Sequence, residues 1–139
     1  MAFTRTTEIL QNSHNRAVFK FTATSSTTEN ESAVTKINFG SGGNFSDWSA
    51  GAYIKISKIF TILNTEWSDL TIQWAGATPG HIALFGYGQS LIDYQSQFNT
   101  LISDTSITPS SLITFTTSGF SPQSTYNVII ECKKYGFNG

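Results

Sequence analysis

The sequence contains very few residues of the kinds that build disulfides or metal sites. Among its 139 residues are one cysteine and two histidines. The single Cys132 excludes an internal disulfide, and neither His14 nor His81 lies near other ligands at the spacing that a zinc site requires. We therefore expect no metal and no cofactor, and a single domain that is large enough to bury a hydrophobic core.

Charged residues are also scarce, and neither sign is in large excess. Eight Lys and Arg against nine Asp and Glu give a formal net charge of -1, which supplies no overall attraction for nucleic acid or for an anionic membrane. Residues 59–132 contain five acids and no base, which predicts one weakly acidic face. Since Trp67, Trp74 and Tyr94 lie in this stretch, apart from any base, we expect no nucleic acid as a partner.

Long apolar runs are missing as well. The longest, such as residues 82–85, are far too short to span a membrane as a helix. The first ten residues are polar and lack the apolar region of a secretory signal. We expect a soluble protein that is made without Sec-type export and has no membrane partner.

The residues that are abundant favour β-structure. Ser and Thr far outnumber the charged residues, and Thr suits the pleated backbone of a strand. Polar and apolar residues alternate in several stretches, most clearly at residues 17–24 and 126–135. About eight such strands, with no convincing long helix, predict an all-β fold, either a single-domain β-sandwich or a jelly-roll-like barrel.

The C-terminal stretch, residues 111–135, has the clearest strand pattern and is predicted to form a hairpin. Its second strand places every other residue on one face. We expect this row to face the core, with Cys132 as a small buried hydrophobe rather than a reactive thiol. The row consists of Tyr126, Val128, Ile130 and Cys132.

Two segments are candidates for contacts with a partner. Residues 1–16 have few sizeable apolar groups, and we expect an extended arm ahead of a β-sandwich domain at residues 17–139. Residues 45–50 follow a glycine-rich turn and carry Phe45 and Trp48. We expect this loop to present apolar surface.

Two further segments depart from simple alternation. In residues 53–64 apolar residues occupy every second position, except that Lys58 stands where an apolar residue is expected. This indicates a bulge near Ser57 and Lys58 or two shorter strands. Residues 90–98 match a short helix at some positions. We favour irregular or short-strand structure there.

Signals of catalysis are weak. No Gly-x-Ser-x-Gly elbow marks a nucleophile, and the glycine cluster at residues 40–43 is not followed by the Lys and Ser or Thr of a phosphate-binding loop. Paired carboxylates such as Asp93 and Asp104 are what a glycosidase needs across a cleft. Exposed acids at bends explain the same residues, so we expect no enzymatic activity.

Five segments share a pattern of strand sequences with a known group of proteins. They are residues 34–39, 70–74, 82–88, 112–120 and 126–134. The most distinctive features are the Thr-Ser-Gly-Phe motif at residues 117–120 and the Lys-ended last strand. On these segments the chain resembles small virion structural proteins of tailed bacteriophages, some of which decorate the capsid exterior.

The resemblance implies a binding protein without catalysis, present in many copies per particle and docked on the major capsid protein or another virion component. It further implies synthesis in the host cytoplasm and a location on the outer capsid surface of the virion. A homotrimer is the favoured assembly, because decoration proteins often sit at three-fold positions. The candidate interface residues, taken from the arm and the loop, are Phe3, Arg5, Ile9, Leu10, Phe45 and Trp48.

Other classes of protein fit parts of the same sequence. A carbohydrate-recognition module of jelly-roll type, or a part of a tail or fibre that touches the host surface, would expose aromatics beside carboxylates. Trp67 with Glu66 and Asp69 is the best such group. A hydrolytic domain would instead depend on Asp93 or Asp104.

Overall fold

The computed structural model describes residues 3–26, 30–75, 80–104 and 112–137. Within these residues the chain forms nine β-strands and one short helix. No helix in these ranges is long and apolar enough to cross a membrane. The elements are Phe3–Asn12 (β1), Arg16–Ser25 (β2), Val34–Asn38 (β3), Tyr53–Leu63 (β4), Asp69–Trp74 (β5), Gly80–Gly86 (β6), Gly88–Asp93 (β7), Tyr94–Phe98 (α1), Leu112–Ser118 (β8) and Thr125–Tyr135 (β9).

The strands form two antiparallel sheets that face each other across one core. The larger sheet has the order β1-β2-β9-β4-β7 and the smaller sheet the order β3-β8-β5-β6. Alternation sends one face of each strand inward, so that aromatic rings from both sheets meet. Phe115 of β8 lies with its ring centroid 5.3 Å from that of Phe21 in β2. The predicted all-β fold is confirmed, and it is a β-sandwich.

The C-terminal strands do not form the hairpin that the sequence predicts. Strand β8 pairs with β3 and β5, whereas β9 pairs with β2 and β4, so the chain crosses between the sheets in the turn after Ser118. The two strands face each other through the core, where Phe115 lies 5.7 Å from Tyr126 between ring centroids. The predicted inward row of β9, which includes Tyr126 and Cys132, is confirmed because each member is 0% exposed.

Strand β4 contains the predicted bulge. Its pairing with β9 shifts between Ile56 and Lys58, and the Ser57 hydroxyl donates to the carbonyl oxygen of Glu131 at 3.1 Å. Because the bulge adds one residue, the alternate residues of β4 that face the core are different before and after it. Before the bulge Ile56 is buried, and after it Phe60 points to the outer face of the sheet, while its neighbour Ile59 is buried.

The predicted extended arm is strand β1 over its described part. It pairs with β2 from Phe3 to Asn12 and forms one edge of the larger sheet. At the opposite edge, residues 88–98 contain both a strand and a helix, β7 and α1. The expectation of irregular or short-strand structure there is wrong for the last turn, because Asp93 accepts a hydrogen bond from the backbone N–H of Ser96 and caps the helix.

Candidate functional site

Strand β1 presents the longest exposed edge of the molecule among the described strands. It is hydrogen-bonded to a neighbour on one side only, and its described side chains, from Thr4 to Asn12, are all exposed. Ile9 and Leu10 are 50% and 51% exposed, and the pairing with β2 shifts between Ile9 and Gln11. An edge of this kind leaves backbone donors and acceptors available to a further strand.

A buried carboxylate fixes this edge strand to the core. The side chain of Glu31 is 0% exposed, and its Oε2 accepts from Arg5 of β1 and from Lys36 Nζ, the latter at 2.9 Å. The hydroxyl of Tyr126 donates to Glu31 Oε1 at 2.7 Å. Burial, more than the neighbouring Glu31, raises the pKa of Tyr126, and burial lowers the pKa of Lys36.

The network therefore joins β1, the segment before β3, and β9. Glu31 is held at the backbone as well, because its N–H donates to Thr117 Oγ1 at 2.8 Å and its carbonyl accepts from the Thr117 N–H at 3.0 Å. Arg5, predicted as an interface residue, remains 38% exposed at its side chain. Its guanidinium is thus bonded within the chain while part of its side chain faces solvent.

The loop at residues 45–48 packs inward. Phe45 is 3% exposed, and its ring lies 5.1 Å from that of Phe137. The buried ammonium group of Lys134 sits over both rings and pairs with Asp47 Oδ2 at 2.6 Å. The expectation that this loop presents its apolar groups is wrong for Phe45, because the cation and the second ring hold it in the core. Trp48 is half-buried.

Trp48 lines a half-open cleft of about 550 Å³ beside the start of β4. Tyr53 and Asp104 also contribute to its lining. The ring of Tyr53 is stacked on Tyr135 at 5.0 Å, so its position is fixed. Apolar walls with a few polar groups are typical of small-molecule sites, and the aromatic rings and the carboxylate are suited to bind a polar ring.

The two carboxylates considered as the pair of a hydrolytic domain, Asp93 and Asp104, have separate roles. Asp104 lines the cleft, whereas Asp93 caps α1 and lies 3.8 Å from the ammonium of Lys58. Asp104 is the one acid among the described lining residues of that cleft, and hydrolysis of a glycosidic bond requires two. In the described ranges no three potential ligands cluster as a metal site.

Trp67 is the most exposed large side chain among the described apolar residues. It is 91% exposed, and its backbone has φ 65°, a left-handed conformation that is rare for a bulky residue. Its carbonyl oxygen would lie 2.3 Å from a Cβ atom at Gly119. Only glycine fits at residue 119, so the two loops are closely packed there.

The loop that carries Trp67 is held on both sides. Asn64 Oδ1 accepts from the backbone N–H of Thr125 at 2.7 Å, and Thr65 Oγ1 donates to Ser124 Oγ at 2.7 Å. These bonds hold the backbone so that the indole projects into solvent beside the exposed Glu66.

Comparison with known protein families, with curated proteins and with solved structures finds no match to this chain.

Proposed function

We propose that the chain is a non-enzymatic structural protein of a phage particle, and more specifically a capsid decoration protein. In this role it docks on the outer surface of the major capsid protein and reinforces the head. The observation that carries the proposal is strand β1, which offers an exposed edge with two exposed apolar side chains, Ile9 and Leu10. The sequence resemblance described above supports the same role.

The physical basis is strand addition by a partner. An exposed edge strand supplies main-chain hydrogen bonds to a further strand, and side chains beside it supply specificity. The buried Glu31 holds Arg5 and therefore holds β1 in place before any partner arrives. Because the strand is already ordered, docking costs less conformational entropy. On a lattice, many weak contacts of this kind add to a stable attachment.

The interface is accordingly assigned to β1 rather than to the loop at residues 45–48. Phe45 is in the core and has no exposed ring to contribute. Trp48 remains a second contact, since it is half-buried at the rim of the cleft. The copies are proposed to act as trimers, and native mass spectrometry of the purified protein tests this directly.

The docking proposal is tested on purified particles that lack this protein and are refilled with variants. Replacing both Ile9 and Leu10 by Asp places charges beside the proposed interface, and we expect occupancy to fall at least about tenfold. A matched control replaces Thr4 and Thr6 of the same strand by Asp, because these exposed residues lie on the face of the sheet opposite to Ile9.

The control variant is expected to bind like the wild type, and both variants are expected to melt within a few degrees of it. Equal occupancy of the two double variants contradicts the assignment of β1 as the docking element. Deleting residues 1–16 is a poorer test, because it also removes Arg5 from the buried Glu31.

Recognition of a glycan on the host surface is a second candidate function, favoured by the exposure of Trp67. An indole face stacks on a sugar ring, and the exposed Glu66 beside it can accept hydrogen bonds from hydroxyl groups. The test is binding to purified host surface polysaccharide. Trp67→Ala is expected to abolish binding, whereas Tyr87→Ala, which removes another exposed aromatic ring, leaves it intact. Equal binding by both variants contradicts this function.

A further inference from the structure

The basic residues divide into two groups in the folded chain. Three of the eight, Arg5, Lys36 and Lys134, lie away from the outer face of the larger sheet and pair with Glu31 or Asp47. The other five all project from the outer face of the larger sheet, because they alternate with the buried positions of β2, β4 and β9. They are Arg16, Lys20, Lys55, Lys58 and Lys133.

Three of these bases form a single row across neighbouring strands. Arg16 is directly opposite Lys133, which is directly opposite Lys55. Adjacent strands lie about 4.8 Å apart, so the row spans roughly 10 Å. Like charges directly opposite each other destabilise a sheet, and the fold therefore maintains this arrangement at a cost in stability.

The neighbouring groups neutralise the row only in part. Arg16 pairs with Glu131, and the ammonium of Lys55 lies 5.4 Å from the centroid of the Tyr135 ring. The ammonium of Lys133 has neither an ion pair nor a hydrogen bond with the described residues, and its side chain is exposed. The centre of the row thus carries positive charge that is free to bind an external anion.

Aromatic and concave surface lies beside the row. Tyr53 and Tyr135 are stacked at 5.0 Å in the adjacent cross-strand pair. Arg16, Lys133 and Tyr135 line a depression of about 450 Å³. Cations, stacked rings and a depression within one sheet face are the elements of a protein-binding surface, where tyrosine and arginine are enriched.

We propose that this row, Arg16, Lys133 and Lys55, is a docking surface for an acidic segment of a partner protein. Acids lie along the same face beyond the row: Glu131 in the next row, opposite Lys58, and Glu8 opposite Lys20 in the row after that. A nucleic acid backbone crossing the face would meet these acids. A compact group of two or three carboxylates fits the row without meeting them. The inference goes beyond the proposed virion role and does not depend on it.

The proposal is tested by NMR titration of the full chain with three probes. These are a short polyglutamate peptide, an oligothymidylate of equal charge, and phosphatidylserine vesicles. We expect the peptide to shift the amide signals of Arg16, Lys55 and Lys133, with binding that weakens as salt screens the charges. Tighter binding of the oligothymidylate or the vesicles, or peptide-induced shifts on another face, overturns the proposal.

Two matched charge-reversal variants distinguish binding at this row from attraction to any positive charge on the same face. Lys133→Glu is expected to weaken peptide binding about tenfold, because it replaces attraction by repulsion at the centre of the row. Lys20→Glu makes the same change on the same face, outside the row, and is expected to weaken binding by less than about twofold. Equal weakening by both variants, or no loss with Lys133→Glu, overturns the assignment.

Discussion

At the scale of single residues, Glu31 connects the exposed edge strand to the core. Glu31→Gln removes the negative charge that Arg5 and Lys36 share while both cations remain. Lys36 is 6% exposed at its side chain, so its charge loses a partner in a poorly solvated position. We expect the free energy of unfolding to fall by about 3 kcal/mol, measured by urea denaturation.

The control for this change is Glu66→Gln. Glu66 is exposed and forms no ion pair in the described structure, so its replacement is expected to change stability by less than about 0.5 kcal/mol. If Glu31→Gln is as mild as the control, then the buried ion pairs do not hold β1 in place.

The thiol of Cys132 gives a second prediction at this scale, concerning alkaline pH. Burial, assisted by the nearby Glu131, raises the pKa of this thiol from 9.0 to about 12. Between these two values the unfolded chain loses a proton that the folded chain keeps, so stability falls as pH rises. The expected contribution approaches ~1.4 kcal/mol per pH unit.

Cys132→Ala removes this contribution and provides the comparison. Thermal melts of both proteins between pH 8 and pH 11 are expected to converge as the pH rises, because only the wild type has the thiol to titrate. A constant difference in stability over this range contradicts the assigned burial of the thiol.

At the scale of elements, the sequence predicts which segments form strands and which residues of a strand face the core, but it does not predict which strands pair with each other. The interruption of parity at Lys58 predicts the bulge in β4, and the structure has it between Ile56 and Lys58. Local alternation also predicts the inward row of β9. It does not predict that β8 and β9 belong to different sheets, because the choice of neighbouring strand depends on contacts between residues distant in sequence.

For the candidate sites, too, features that depend on nearby residues were predicted and features that depend on residues distant in sequence were not. The group of Trp67 with Glu66 and Asp69 marks a candidate sugar site in the sequence, and Trp67 is exposed in the structure. The burial of Phe45 was missed because Lys134 and Phe137, which cover it, are far away in the chain. The basic row was missed for the same reason, since Arg16 and Lys133 meet only when β2 pairs with β9.

Two glycines test how the loop of Trp67 is held. Gly42 and Gly119 both have φ 74°, but a Cβ atom meets nothing within 4 Å at Gly42, whereas at Gly119 it would lie 2.3 Å from the Trp67 carbonyl oxygen. Alanine at either position carries the same backbone strain. We expect Gly119→Ala to destabilise the protein by at least about 2 kcal/mol more than Gly42→Ala.

The measurement is thermal or urea unfolding of the two variants, with tryptophan fluorescence as a local readout. Gly119→Ala is expected to change the emission of the native state because the loop of Trp67 must move. Equal stabilities of the two variants show instead that the loops separate easily, and Trp67 is then not held in place by the close approach of residue 119.

At the scale of the whole molecule, the sandwich separates its surfaces by chemistry. One edge of the larger sheet carries the exposed strand β1, its outer face carries the unburied bases, and Trp67 projects from the loop between β4 and β5. Strand β1 is held by the buried carboxylate of Glu31.

The most direct test of the proposed role is an electron cryo-microscopy map of purified phage particles that contain this chain. We expect density for the sandwich at repeated positions on the outer surface of the head, grouped in threes, with strand β1 against the major capsid protein. Finding the chain only in the tail, or finding no copies on purified particles, contradicts the proposed role.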